Sequence, residues 1–237
     1  MCLIALAHRA SERYPLVIAA NRDEDHERPA RAAHFWDDAP EVLGGRDALL
    51  GGSWLAVTRS GRFAAVTNLH GAVRRSRSRG FLVRSFVTSD ATPVEYAASI
   101  EREEYAGFHL LVGEVGGIVM YVASDDEPRM LDPGIYGFSN ARSGEHWPKV
   151  DAATSFLSSR AKSRDLVPDL LQFLRTPRNR GRVEEEVFIV GDRYGTRAST
   201  VVLATNDEIL FAEQNYSRGG VVAGEPSLFS FGRSSSG

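Results

Sequence analysis

Apolar runs recur along the chain in pairs separated by turn residues, the sequence form of antiparallel hairpins. The runs 2–8 and 16–20 flank a polar connection, 54–58 and 63–68 flank Ser60-Gly61, 108–113 and 118–123 flank Gly116-Gly117, and 199–205 and 208–214 flank Asn206-Asp207. Leu3-Ile4-Ala5-Leu6-Ala7 and Val201-Val202-Leu203-Ala204 are apolar on both faces, which predicts sheets covered on both sides. Helices fall between the hairpins. Thr92-Pro93-Val94-Glu95 combines a cap residue, a proline at the first helical position and a carboxylate three residues after the cap. Leu82, Phe86 and Val87 predict a helix after Gly80, Val150, Ala153, Thr154 and Leu157 one after Trp147-Pro148, and Leu166, Leu170, Leu171 and Leu174 one before Pro177. Hairpins interleaved with a few helices predict an α+β layered sandwich. Residues 218–237 are rich in glycine and serine without a sustained period, so a single domain over 1–217 is expected to end in a loosely attached tail.

Composition narrows the function. The chain has 237 residues, 43% of them hydrophobic and 25% charged, enough to bury about 70% of its unfolded surface without disulfide or metal staples. A single cysteine, Cys2, excludes an internal disulfide and points to a reducing compartment. A net charge of -3 lacks the footprint of a general nucleic-acid binder. No apolar run reaches the roughly 20 residues of a membrane helix, and the first residues lack the positive start of a secretory signal, so membrane insertion is not expected and a cytoplasmic location is. The histidines have no metal-ligand spacing, and no catalytic metal is expected. Lysine occurs only at Lys149 and Lys162, a bias read as genome composition. The run Arg74-Arg75-Ser76-Arg77-Ser78-Arg79 reads as a solvated loop or as a grip for an anionic ligand.

Cys2 is the most informative position. Removal of Met1, which a small second side chain permits, would leave a cysteine with a free α-amine, whose ordinary pKa of roughly 7.7 to 8.0 suits a general base. Nucleophile and base then share one residue. Position alone also allows a small apolar residue opening a strand. A short first hairpin brings Asn21-Arg22-Asp23-Glu24-Asp25 beside residue 2. That cluster reads as a charged turn, or as a carboxylate that positions the amine with an arginine that favours the thiolate.

Met1-Cys2-Leu3-Ile4 followed by Asn21-Arg22-Asp23-Glu24 resembles the NRDE family, whose eukaryotic members are transport and Golgi organisation protein 2 homologues. The resemblance continues through Gly44-Gly45-Arg46-Asp47, Gly51-Gly52-Ser53-Trp54, Val66-Thr67-Asn68, Gly137-Phe138-Ser139-Asn140, Trp147-Pro148-Lys149-Val150 and Tyr194-Gly195-Thr196-Arg197, over residues 1 to 216. It implies a four-layer αββα sandwich of two antiparallel sheets, the N-terminal nucleophile (Ntn) hydrolase fold. It also implies similarity to choloylglycine hydrolases and penicillin V acylases. Carried over from these, Cys2 is the nucleophile, Asp23 orients its amine, Asn68 and Asn140 are oxyanion and substrate donors, and Arg197 gives electrostatic support. Asn21, Arg22, Glu24 and His70 would line the substrate pocket. Spacing alone reads Asn68 and Asn140 as loop residues. Ala20 stands where those enzymes carry an arginine, leaving that guanidinium missing or supplied by Arg22.

Two functions follow from the resemblance. One is a cysteine amidohydrolase acting on a linear amide of a small molecule, with no cofactor required. The other is a non-hydrolytic protein handling haem as a transient ligand, or acyl-CoA and lipids.

The first reading requires loss of Met1. Intact-mass measurement of protein made without an N-terminal extension is expected to show the chain starting at Cys2; retained methionine would leave Cys2 without its own base.

Overall fold

The computed structural model describes residues 2–73, 75–160, 163, 165–177 and 181–234. Met1 and Arg74, which enter the expectations above, lie outside them. The chain order is β1 (Leu3–His8), β2 (Leu16–Asp25), β3 (Ala30–Trp36), β4 (Ala39–Asp47), β5 (Leu55–Thr58), β6 (Arg62–Asn68), α1 (Gly80–Val87) and α2 (Pro93–Ser99). It continues with β7 (Phe108–Glu114), β8 (Val119–Ala123), β9 (Asp126–Met130), β10 (Gly134–Phe138), α3 (Pro148–Arg160), α4 (Leu166–Leu174), β11 (Tyr194–Ala204), β12 (Glu208–Asn215) and β13 (Ser227–Gly232).

Each paired apolar run forms an antiparallel hairpin: β1 with β2, β5 with β6, β7 with β8 and β11 with β12. The strands assemble into one sheet of order β10-β1-β2-β11-β12-β13 and a second of order β3-β4-β5-β6-β7-β8-β9. The doubly apolar runs explain the layering. On β1, Ile4 and Leu6 join Leu43, Leu55 and Phe63 between the sheets, while Leu3, Ala5 and Ala7 pack under Leu157, Leu166 and Leu170 of α3 and α4. On the far side, Leu82, Phe86 and Tyr96 of α1 and α2 cover Ala64, Leu110 and Val112 of the second sheet. The result is the α+β, four-layer αββα sandwich of two antiparallel sheets. The sheets are also joined by Glu213 of β12, which is fully buried and accepts from the Ala33 amide of β3 at 2.7 Å. Burial pushes its carboxyl above the usual range.

Thr92 caps α2 as its sequence predicts, with a reciprocal bond between the Thr92 amide and the Glu95 carboxylate. The loosely attached tail is a correction. Arg218–Gly220 form a 3-10 turn, and β13 pairs along β12 from Glu213↔Ser227 to Glu208↔Gly232. Phe229 and Phe231 face inward, their rings 6.1 Å and 5.4 Å from that of Phe35. The alternation Leu228-Phe229-Ser230-Phe231 is a strand period, short enough to be hidden by the surrounding glycines and serines.

Helix α3 lies close on β10 because position 137 is glycine. A Cβ there would stand 2.5 Å from Val150 Cγ1 and 2.8 Å from Thr154 Cγ2. Gly137→Ala is therefore expected to cost about 1 to 3 kcal/mol through overpacking, seen as a lower urea midpoint at unchanged slope.

Candidate active site

The β1–β2 register sets Leu3 opposite Asn21 and Ile4 opposite Ala20, which delivers Cys2 to the Asn-Arg-Asp stretch. On β2 the even positions Leu16, Ile18 and Ala20 face the space between the sheets, and Val17 and Ala19 face the helices. The polar residues that follow keep this alternation. Arg22 lies against Trp54, the residue before β5, with its guanidinium carbon 4.4 Å from the ring centre and its Nη2 3.7 Å from the Glu24 carboxylate. Asp23 turns to the helix side, where Thr196 Oγ1 donates to its Oδ1 at 2.7 Å.

Asn21 also turns that way. Its Nδ2 donates to the carbonyls of Leu174 at 2.8 Å and Val187 at 2.7 Å, and its Oδ1 accepts from Ser199 Oγ at 2.6 Å. The expectation that Asn21 lines the substrate pocket is corrected to this extent: its side chain is committed to tying β2 to the end of α4.

Cys2 is 8% exposed and sits at the floor of a cleft of about 450 Å³ between the sheets. Burial, and after it the charge of Asp23, pushes its thiol above the usual range, opposed by a backbone hydrogen bond from Asp23 and the charge of Arg22. Its backbone nitrogen donates to Asn140 Oδ1 at 2.7 Å. Asn140 Nδ2 in turn donates to the Asn68 carbonyl. The two asparagines thus divide their work. Asn140 holds the Cys2 nitrogen, and the Asn68 side chain, which makes no hydrogen bond among the described residues, lines the cleft.

The segment that carries Asn140 is strapped from behind. Thr67 Oγ1 donates to the Ser139 carbonyl at 2.6 Å, and His109 Nε2 lies 2.6 Å from the Ala141 carbonyl. A carbonyl only accepts, so Nε2 carries the proton and Nδ1 accepts from Tyr121 Oη at 2.7 Å. Burial lowers the His109 pKa, in keeping with this neutral form.

Two expected site residues stand apart. Arg197 Nη1 donates to the carbonyls of Asp25, His26 and Arg28, bracing the β2–β3 connection rather than facing the thiol. His70 is exposed, with its ring 6.3 Å from that of Trp147, and does not line the cleft. Glu24 does, between Arg22 at 3.7 Å and Arg28 at 3.8 Å. From the arginine run, Arg75, Arg77 and Arg79 reach the cleft wall.

The residue that pattern reading passes over is Lys149, in the first turn of α3. It is 1% exposed, its Nζ has no hydrogen-bond partner among the described residues, and it lies 5.2 Å from the Trp147 ring centre. Burial lowers its pKa, and the nearest opposing influence is the charge of Asp23, followed by Cys2. Burial raises Asp23, and Lys149 opposes that shift. The signal was present in composition: a chain that uses arginine almost everywhere places one of its two lysines here, a compact point charge in place of a guanidinium fork.

A cysteine at the start of the first strand, at the floor of a cleft between two antiparallel sheets clad in helices, defines the Ntn-hydrolase fold class. Solved structures agree. A mutant of the conjugated bile acid hydrolase from Clostridium perfringens superimposes with a TM-score of 0.60 at 9% identity, over 97% of this chain and 92% of that one. A Caenorhabditis elegans ortholog of N-acylethanolamine-hydrolyzing acid amidase gives 0.58 at 14% identity, over 85% and 92%. Penicillin V acylase from Agrobacterium tumefaciens gives 0.59 at 11%, over 98% and 86%. The chain belongs to the Transport and Golgi organisation 2 family, whose sequence model matches residues 1–218. It is 35% identical to the Transport and Golgi organization protein 2 homolog of Bos taurus and 31% to that of Mus musculus, each over 85% of this chain and 87% of the relative. No helix among the described residues is long and apolar enough to cross a membrane.

Removing the Lys149 cation takes away a charge that favours the Cys2 thiolate. Lys149→Met is expected to move the midpoint of iodoacetamide alkylation at Cys2 to higher pH. The double variant Asp23→Asn/Lys149→Met, which replaces both buried charges with neutral groups, is expected to melt no lower than the parent. A large drop in melting temperature would make the pair structural.

Proposed function

We propose that the protein is an N-terminal-cysteine amidohydrolase that cleaves a linear amide of a small molecule. The observation that carries this reading is the 2.7 Å hydrogen bond that fixes the Cys2 nitrogen on Asn140, beside a thiol open to the cleft. The fold supports it, since its structural neighbours are named as an acid amidase, a conjugated bile acid hydrolase and a penicillin V acylase.

In the mature chain the α-amine of Cys2 takes the thiol proton as the sulfur bonds to the substrate carbonyl carbon. The carbonyl oxygen becomes an oxyanion, and the free Asn68 amide is the donor for it; such a donor contributes about 3 to 4 kcal/mol. The carbon–nitrogen bond then breaks and the ammonium returns its proton to the leaving amine. A water adds to the thioester, losing its proton to the same amine, and the acid departs as the thiol is restored. Asp23, charge-balanced by Lys149, keeps the amine in place and tunes its proton affinity. No cofactor enters this cycle.

The competing reading is a carrier for haem or acyl-CoA that uses the cleft without the sulfur. The two differ in what they require of Cys2. Cys2→Ala is expected to reduce amide turnover at least about 1,000-fold while the protein still binds its substrate. Saturable haem or acyl-CoA binding indifferent to Cys2→Ala, with no hydrolysis across a broad panel of acyl amides, would decide for the carrier.

A further inference from the structure

The charges along the cleft do not cancel locally. Arg28 is matched by Asp47 at 2.5 Å, and Arg77 by Glu104. Arg22 and Arg79 are not matched in this way. Arg22 is only 7% exposed, yet its guanidinium donates no hydrogen bond among the described residues. It rests on the Trp54 face with one ion contact, 3.7 Å from Glu24. Arg79 donates one hydrogen bond to the Gly107 carbonyl at 3.0 Å and pairs with no carboxylate among the described residues. Both line the cleft, and both are near enough to Cys2 to interact with its charge. Arg75, exposed at the mouth, adds a third cation without an ion partner among the described residues.

A guanidinium that lines a cleft with its donors uncommitted to protein acceptors is free to meet a ligand's oxygens. Its planar fork fits a group that offers two oxygens, such as a carboxylate or a phosphate, better than a single amide carbonyl. The opposite requirement is met on the same cleft, where Leu50, Trp54, Val66 and Ala106 form an apolar wall. A volume of about 450 Å³ accommodates a small molecule with both halves.

We propose that the cleft recognises an acidic amide: an apolar acyl group on the Trp54 and Val66 wall, and an oxyanion group, carboxylate or phosphate, held by Arg22 and Arg79 beside Cys2. This deepens the amidohydrolase reading and rests on it for the scissile bond, but the anion subsite itself does not need the sulfur.

The test uses the full chain carrying Cys2→Ala, so that binding is read without turnover. Three probes with one acyl chain are titrated by calorimetry: N-decanoylglycine, N-decanoylethanolamine phosphate and neutral N-decanoylethanolamine. At least one acidic probe is expected to bind about tenfold or more tightly than the neutral one, and the tighter of the two names the anion as carboxylate or phosphate. Adding Arg79→Gln, or Arg22→Met, is expected to lower that probe's affinity about tenfold and the neutral probe's by much less. If Arg22→Met does not fold, Arg79→Gln and the weakening by raised salt carry the test. Equal affinity for all three probes, no binding of either acidic probe, or a preference that survives Arg79→Gln overturns the proposal. Wild-type protein that binds the acidic probe selectively yet never cleaves it would instead retain the subsite and remove the hydrolase reading.

Discussion

The site depends on one register. Leu3 pairs with Asn21, and everything chemical at this end of the sheet follows from that pairing. A slip of one residue would turn every side chain of β1 to the opposite face, sending Cys2 into the helix layer and Leu3 into the cleft. The slip is resisted from both sides. β1 is an interior strand, bonded to β2 on one edge and to β10 on the other, with Ile4 opposite Phe138. Asn21 fixes the partner strand by donating to the last carbonyl of α4, one of the groups a helix end leaves without an internal partner.

Behind that register stands a polar layer inside an otherwise apolar helix–sheet interface. Asn21, Asp23, Thr196, Ser199 and Lys149 are all nearly inaccessible to solvent. Burying them opposes folding, and a carboxylate and an ammonium placed there push each other's ionisation back toward the charged forms. The placement of α3 matters accordingly. Gly137 lets that helix approach β10, and the approach brings Lys149 into reach of Asp23. The strap from Tyr121 through His109 to the Ala141 carbonyl does the corresponding work on the other side, holding Asn140 against Cys2.

Much of the fold was legible because its hairpins are written in continuous apolar runs and compact turns, as in β5–β6 and β7–β8. The strands that escaped reading have another composition. β3 carries Arg31 and His34 and breaks register twice against β4, and β9 is mostly exposed, so neither presents an apolar run. β10 is Gly-Ile-Tyr-Gly-Phe, whose glycines look like loop residues until the helix above them is known. At the site, Cys2 and Asp23 could be found because their spacing follows one hairpin. The roles of Asn140 and Arg197 could not, since their contacts span 138 and about 170 residues. Each then proved to hold the backbone more than to face the cleft. Lys149 was hidden by its ordinary position in an amphipathic helix, where a lone lysine reads as solvated until burial is measured.

Cys2 is also the only sulfur of its kind in the chain, which has a consequence for oxidation. A sulfenic acid formed there finds no second thiol to close a disulfide, so nothing within the protein can return it to the reduced state. Recovery must come from a small external thiol entering the same narrow cleft, past Arg75 and Arg79. The arginines that guard the nucleophile would then also select its reductant, favouring a thiol that carries negative charge over a neutral one.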